Sequence, residues 1–150
     1  MVENLYLETR FMRAARFLDT NILLYAYDLD APAKRQIAQA LLEKAWLQPG
    51  QTAVSVQVLQ EFHYNFVRKG FPATEATILV HDFSTWPIVE NTLPLFHSSL
   101  NEQARWKISL WDSLILAAAR ASGASELLTE KLNHGQDYDG LKVINPFRKS

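Results

Sequence analysis

Along the chain, short apolar runs alternate with stretches whose apolar residues recur every three or four positions. Arg16-Phe17-Leu18-Asp19 reads as a short buried strand, followed by Thr20-Asn21 and an apolar turn, Ile22-Leu23-Leu24-Tyr25. Ala31-Pro32 opens a helix, with proline suited to a first turn. Its apolar residues Ile37, Ala38, Leu41, Leu42 and Ala45 keep helical spacing until Pro49-Gly50 ends it. Thr52-Ala53-Val54 predicts a second strand, and Ser55 an N-cap for a helix carrying Val58, Leu59, Phe62 and Phe66, closed by Gly70. A helix after Ala73 is expected to place Ile78, Leu79 and Phe83 on one side, and Trp86-Pro87-Ile88-Val89 predicts a third strand. Pro94 opens a helix through about Arg105, and Asp112 to Ser122 forms the next, stopped by Gly123. Glu126-Leu127-Leu128-Thr129 and Lys142-Val143-Ile144 complete the strands. Strands separated by helices need crossover connections, so the pattern predicts an α/β sandwich: a mainly parallel central sheet flanked by helices on both faces.

Met1 to Ala15 shows no clean period and is expected to be a tail or extended start, with Met12 a second candidate initiator. Residues 16–150 then form a single domain, free of repeats, low-complexity runs and linkers. At 150 residues, roughly 68–70% of the unfolded surface can be buried, and 48% hydrophobic residues supply the core. The absence of cysteine excludes disulfides, zinc–thiolate sites and cysteine nucleophiles, and fits a reducing cytoplasm. No stretch approaches the about 18 apolar residues that span a bilayer, and the acidic N-terminus (Glu3, Glu8) lacks a signal-peptide pattern. The expectation is a cytoplasmic protein with no membrane partner. A formal net charge of −1 gives no basic surplus for coating nucleic acid. Any contact with a nucleic acid must therefore be local and aided by cations or a partner.

Ligands of open α/β sheets gather at the carboxyl ends of the strands. Asp19 stands there, at the end of the first strand, where it also suits a helix cap. Glu61 borders the apolar stripe of its helix, and such a glutamate alone is commonly only solvated. Asp112 opens a nearly all-apolar helix, where a carboxylate also favours the helix dipole. Brought together, the three would repel one another unless a cation lay between them. An all-oxygen set selects magnesium or manganese over zinc. Such an ion activates water and steadies charge on a phosphoryl oxygen, which is what phosphodiester hydrolysis requires.

The segments Phe17-Leu18-Asp19-Thr20-Asn21-Ile22-Leu23, Val58-Leu59-Gln60-Glu61-Phe62, Leu110-Trp111-Asp112-Ser113-Leu114-Ile115 and the closing run from Leu128 to Gln136 with Val143 to Phe147 occur in one order. In that order they resemble the PIN-domain family, especially the bacterial VapC-type toxins, over about Arg16 to Phe147. The resemblance implies a Rossmann-like sheet and an acidic pocket for one or two Mg2+ or Mn2+ ions. It also implies hydrolysis of RNA by a metal-activated water. By position, Asp19, Glu61 and Asp112 become metal-binding and catalytic carboxylates, Thr20 supplies a hydroxyl beside the first acid, and Asn21 helps order the turn. The resemblance further implies a small antitoxin protein that occupies the pocket, and a homodimer.

One position departs from the pattern. The family's fourth acid corresponds to Lys131, a change of two charge units, where a single charge roughly 4 Å from a ligand interacts by about 4 kcal/mol at an effective dielectric near 20. Three outcomes are open. Glu130 or Asp137 takes over the role, one ion held by three carboxylates suffices, or activity is weak. Lys131 itself can face an RNA phosphate or lie solvated. The competing function is a catalytically weak or inactive PIN-fold module that binds RNA or protein. His134 lacks the partners of a metal site, whereas Trp111 is singled out among the four tryptophans because it adjoins Asp112.

Overall fold

β1 (Arg16–Leu18) is three residues long and its Phe17 and Leu18 are wholly buried. β2 (Thr52–Ser55) is buried at every position. Successive strand residues point to opposite faces, so continuous burial means that both faces of the sheet are covered. The structure, a computed structural model, describes residues 12–149. Residues 1–11 of the expected N-terminal tail lie outside the described residues. Of the remainder of that stretch, Ala14 is buried, with its N–H on the Ser122 carbonyl at 3.0 Å, and Ala15 donates to Gln51 at 2.8 Å.

In chain order the elements are β1, α1 (Thr20–Tyr25), α2 (Pro32–Leu47), β2, α3 (Val56–Arg68), α4 (Ala73–Phe83), β3 (Ile88–Val89), α5 (Leu93–Trp106), α6 (Leu110–Ala121), β4 (Glu126–Leu128), β5 (Asp137–Tyr138) and β6 (Leu141–Ile144). They build one six-stranded sheet in the order β3-β2-β1-β4-β6-β5. Every pairing is parallel except β5 with β6. This is the expected mainly parallel sheet flanked by helices.

Four details differ from the pattern reading. Ile78 is 61% exposed; α4 buries Phe83 as expected, but with Ala76 rather than Ile78. Positions 76 and 83 lie two turns apart on one face, whereas 78 points nearly the opposite way. The third strand shrinks to Ile88–Val89 because Pro87 has no N–H to donate; its carbonyl accepts from Val54 at 3.2 Å. α6 starts two residues before Asp112, capped by Ser109, whose hydroxyl accepts from the Asp112 N–H at 3.0 Å. Finally, Asp137 lies in a short hairpin strand that the pattern reading did not predict. Asp139 (φ 55°) and Gly140 (φ 89°) form its two-residue turn, which places Tyr138 opposite Leu141 with Tyr138 buried.

Gly123 ends α6 with φ 79°, and a Cβ built there would lie 2.7 Å from the Met12 carbonyl oxygen. Gly123→Ala is expected to destabilise by about 1–3 kcal/mol from backbone strain alone, with more from displacing residues 12–13. Chemical denaturation measures it, and a loss under about 0.5 kcal/mol would show that this close approach does not constrain the fold.

Candidate functional site

The chain runs from β1 outward to β2 and β3, then returns to place β4 on the other side of β1. The strand order therefore reverses between β1 and β4, and in open α/β sheets the crevice at such a reversal is where ligands bind. Asp19 follows β1 and Thr129 follows β4, side by side across that reversal. The Asp19 N–H donates to Leu128, and the Thr129 hydroxyl donates to Asp19 Oδ2 at 2.8 Å.

Asp19 is 3% exposed, and its extended backbone makes it the N-cap of α1. Its Oδ1 accepts the Thr20 N–H at 2.7 Å. Capping and site roles thus coexist in one carboxylate. Asn21 holds the turn from inside: its amide nitrogen donates to Asp19 Oδ2 and to Thr129 Oγ1, each at 3.2 Å, and its carbonyl oxygen accepts the Glu130 N–H at 3.3 Å. Burial pushes the Asp19 carboxyl above its ordinary value of 3.8. Hydrogen bonds from Thr129 and Thr20 and the charge of Lys131 oppose that rise, while the Glu61 carboxylate adds to it.

Glu61 reaches the same place from the second turn of α3, whose start is fixed by the Ser55 cap on the Val58 N–H at 3.1 Å. The Thr20 hydroxyl donates to Glu61 Oε1 at 3.1 Å, and Gln57 Nε2 lies 3.4 Å from the same oxygen. Thr20 therefore links the two acids, with its N–H on one and its hydroxyl on the other. Two carboxylates so close are uncomfortable without a cation, and their donors are all oxygen, the ligand class of Mg2+ and Mn2+.

Asp112 is half-buried in the first turn of α6. Among the described residues its carboxylate makes no hydrogen bond to Asp19, Thr20 or Glu61, and no group of three or more acids or histidines stands close enough to hold an ion. Its charge acts on Tyr138, whose hydroxyl is pushed up first by burial and then by Asp112. The structure thus joins Asp19 to Glu61 through Thr20, while Asp112 shares no hydrogen bond with that pair.

The substitutes for a fourth acid fare differently. Glu130 follows Thr129, but its carboxylate is taken: the Tyr25 hydroxyl donates to Oε1 at 2.6 Å and the Lys34 ammonium to Oε2 at 2.9 Å. Burial alone would raise Glu130, yet these two donors hold it below the ordinary carboxylate value. Asp137 pairs with Lys142 on the edge strand, in the row of Glu126 and Arg16 at the amino ends of the strands. It is remote from Asp19, and its Oδ1 accepts the Gly140 N–H. Lys131 is exposed, with its N–H on the Thr129 hydroxyl at 3.1 Å. Sequence reading gave no role to Thr129, Tyr25 or Lys34. The available signal was a hydroxyl ending an apolar strand; nothing in the sequence marks the other two.

A family model described as PIN domain matches residues 16–131. No curated protein matches the chain. Among solved structures, a toxin–antitoxin complex from Klebsiella pneumoniae shares 26% identity at a TM-score of 0.64, covering 87% of this chain and 97% of that one. VapC20 of Mycobacterium tuberculosis, a sarcin–ricin loop cleaving toxin, shares 17% identity at a TM-score of 0.59, covering 75% and 86%. VapBC2 of Rickettsia felis, bound to a DNA fragment from its promoter, shares 22% at 0.58, covering 85% and 96%. At such identities the last two show a common fold.

Proposed function

This chain belongs to the PIN-domain family, and from that premise we propose that it is a divalent-metal-dependent endoribonuclease, the toxin of a toxin–antitoxin pair. The observation that carries the reading is the buried Asp19 tied through Thr20 to Glu61 at the strand-order reversal. Asp19 and Glu61 would hold Mg2+ or Mn2+, and Asp112, whose carboxylate has no hydrogen bond among the described residues, is the proposed third ligand. When bound, such an ion supplies a water of lowered pKa and charge stabilisation at a phosphoryl oxygen.

The chain's own residues prepare for that chemistry. Thr129, Asn21 and the Thr20 N–H fix the Asp19 carboxylate in one orientation, so no side-chain reorganisation is left for the moment of reaction. The Thr20 hydroxyl orients Glu61 while leaving Oε2 uncommitted. Purified protein is expected to cleave single-stranded RNA in millimolar Mg2+ and to stop in EDTA. Turnover that continues in EDTA would remove the metal-dependent reading.

The antitoxin partner is supported by the Klebsiella complex. A protein partner or second copy is also supported by apolar residues left exposed on α5, with Leu93 65%, Phe96 41% and Leu100 41% in solvent. No helix among the described residues is long and apolar enough to cross a membrane. A cytoplasmic site of action suits the cysteine-free chain and an RNA substrate.

A second reading, a weak or inactive RNA-binding module, is favoured by Lys131. Its mark is an RNA affinity indifferent to EDTA and no turnover in either ion.

A further inference from the structure

We propose that the site takes a single divalent ion and that the Lys131 ammonium stands beside it as a built-in cation, facing the phosphate that the ion also contacts. This rests on the metal-dependent reading above and deepens it.

The first argument is a count of lone pairs. An ionised carboxylate offers about four acceptor positions, two on each oxygen. On Asp19, Oδ2 is filled by Asn21 Nδ2 and the Thr129 hydroxyl, and Oδ1 holds the Thr20 N–H. One position remains, on Oδ1, enough to bind one ion and too few to bridge two. Glu61 likewise spends Oε1 on Thr20 and Gln57 and keeps Oε2.

The second argument concerns what else is within reach. Glu130 is occupied by Tyr25 and Lys34, and Asp137 lies at the far end of the strands. Neither of these two acids is therefore free to join the shell of a second ion.

The third concerns Lys131. It makes no salt bridge among the described residues, and its backbone is pinned to the hydroxyl that holds Asp19. Its charge acts on both the Asp19 and the Glu130 carboxylates. An uncommitted ammonium at the rim of an acidic pocket opposes entry of a second divalent cation. It also supplies a positive charge for a phosphate oxygen.

The test counts ions on the full chain by Mn2+ electron paramagnetic resonance and calorimetry. Wild type is expected to bind one Mn2+ per chain, and Asp19→Asn none. Lys131→Gln should still bind one, roughly tenfold tighter because a neighbouring positive charge is gone, while losing affinity for a short RNA. Lys131→Asp, which removes the positive charge and adds an acceptor, should bind Mn2+ more tightly than Lys131→Gln. Two ions on wild type, or unchanged Mn2+ affinity in both Lys131 variants, would overturn the inference while leaving the nuclease reading intact. No Mn2+ on wild type would overturn both. Lys131 is exposed, so the variants should fold, and circular dichroism checks that.

Discussion

Asp19→Asn is expected to abolish Mg2+-dependent RNA cleavage while the protein stays folded. An ion contributing several kcal/mol to the transition state is worth roughly three orders of magnitude in rate, so activity should fall about 10³-fold or more. The fold should survive because two effects offset each other. An amide cannot accept every hydrogen bond that the carboxylate does, which costs about 1–3 kcal/mol. It also removes a charge buried at 3% exposure, whose desolvation is what raises the Asp19 pKa.

The sign of that shift gives a second readout. A carboxyl with a raised folded pKa favours its protonated form in the native state. Its stabilising contribution is therefore complete below the ordinary value of 3.8 and is lost as pH rises through the folded pKa. Metal-free wild type should gain stability relative to Asp19→Asn as pH falls from neutrality. Wild-type activity in a folded Asp19→Asn variant would refute the site.

Thr129→Val should cost the most stability of any single-hydroxyl deletion. Thr129 is wholly buried, donates to Asp19 Oδ2, and accepts from Asn21 and from the Lys131 N–H. Valine keeps the shape and leaves a buried carboxylate and two donors short of partners, a loss of about 3 kcal/mol. At 150 residues that corresponds to a Tm lower by roughly 6–12 °C. Cleavage should fall as well, because Asp19 loses its firmest lateral support, and Thr129→Ser should restore most of both. A urea midpoint shift worth under about 1 kcal/mol would show that the hydroxyl is dispensable.

Periodicity made the framework legible. The strand before Asp19, the Ser55 cap and the helix bearing Glu61 follow from short-range rules that tertiary packing did not override. Residues that act through partners far along the chain were less legible. Thr129 and Asn21 are 108 positions apart, and no local pattern announces that they meet. The commitment of Glu130 to Tyr25 and Lys34 depends on side-chain reach across α1 and α2. The hairpin at Asp139-Gly140 had a local signal, a turn dipeptide between two short apolar-containing runs, but its strands are too brief for alternation to show. Asp112 marks the opposite limit. Its place in a first helical turn was legible, whereas the distance from that turn to β1 is set by how α5 and α6 pack.

The bond between Asp19 and Thr129 spans 110 positions of sequence. During synthesis, Asp19 emerges with β1 yet cannot be locked into place until the ribosome has delivered β4. Fragments released earlier would hold loosely oriented carboxylates and no finished pocket. Chain order thus ties completion of this pocket to the arrival of β4, after helices α1 to α6 and the two intervening strands have been made.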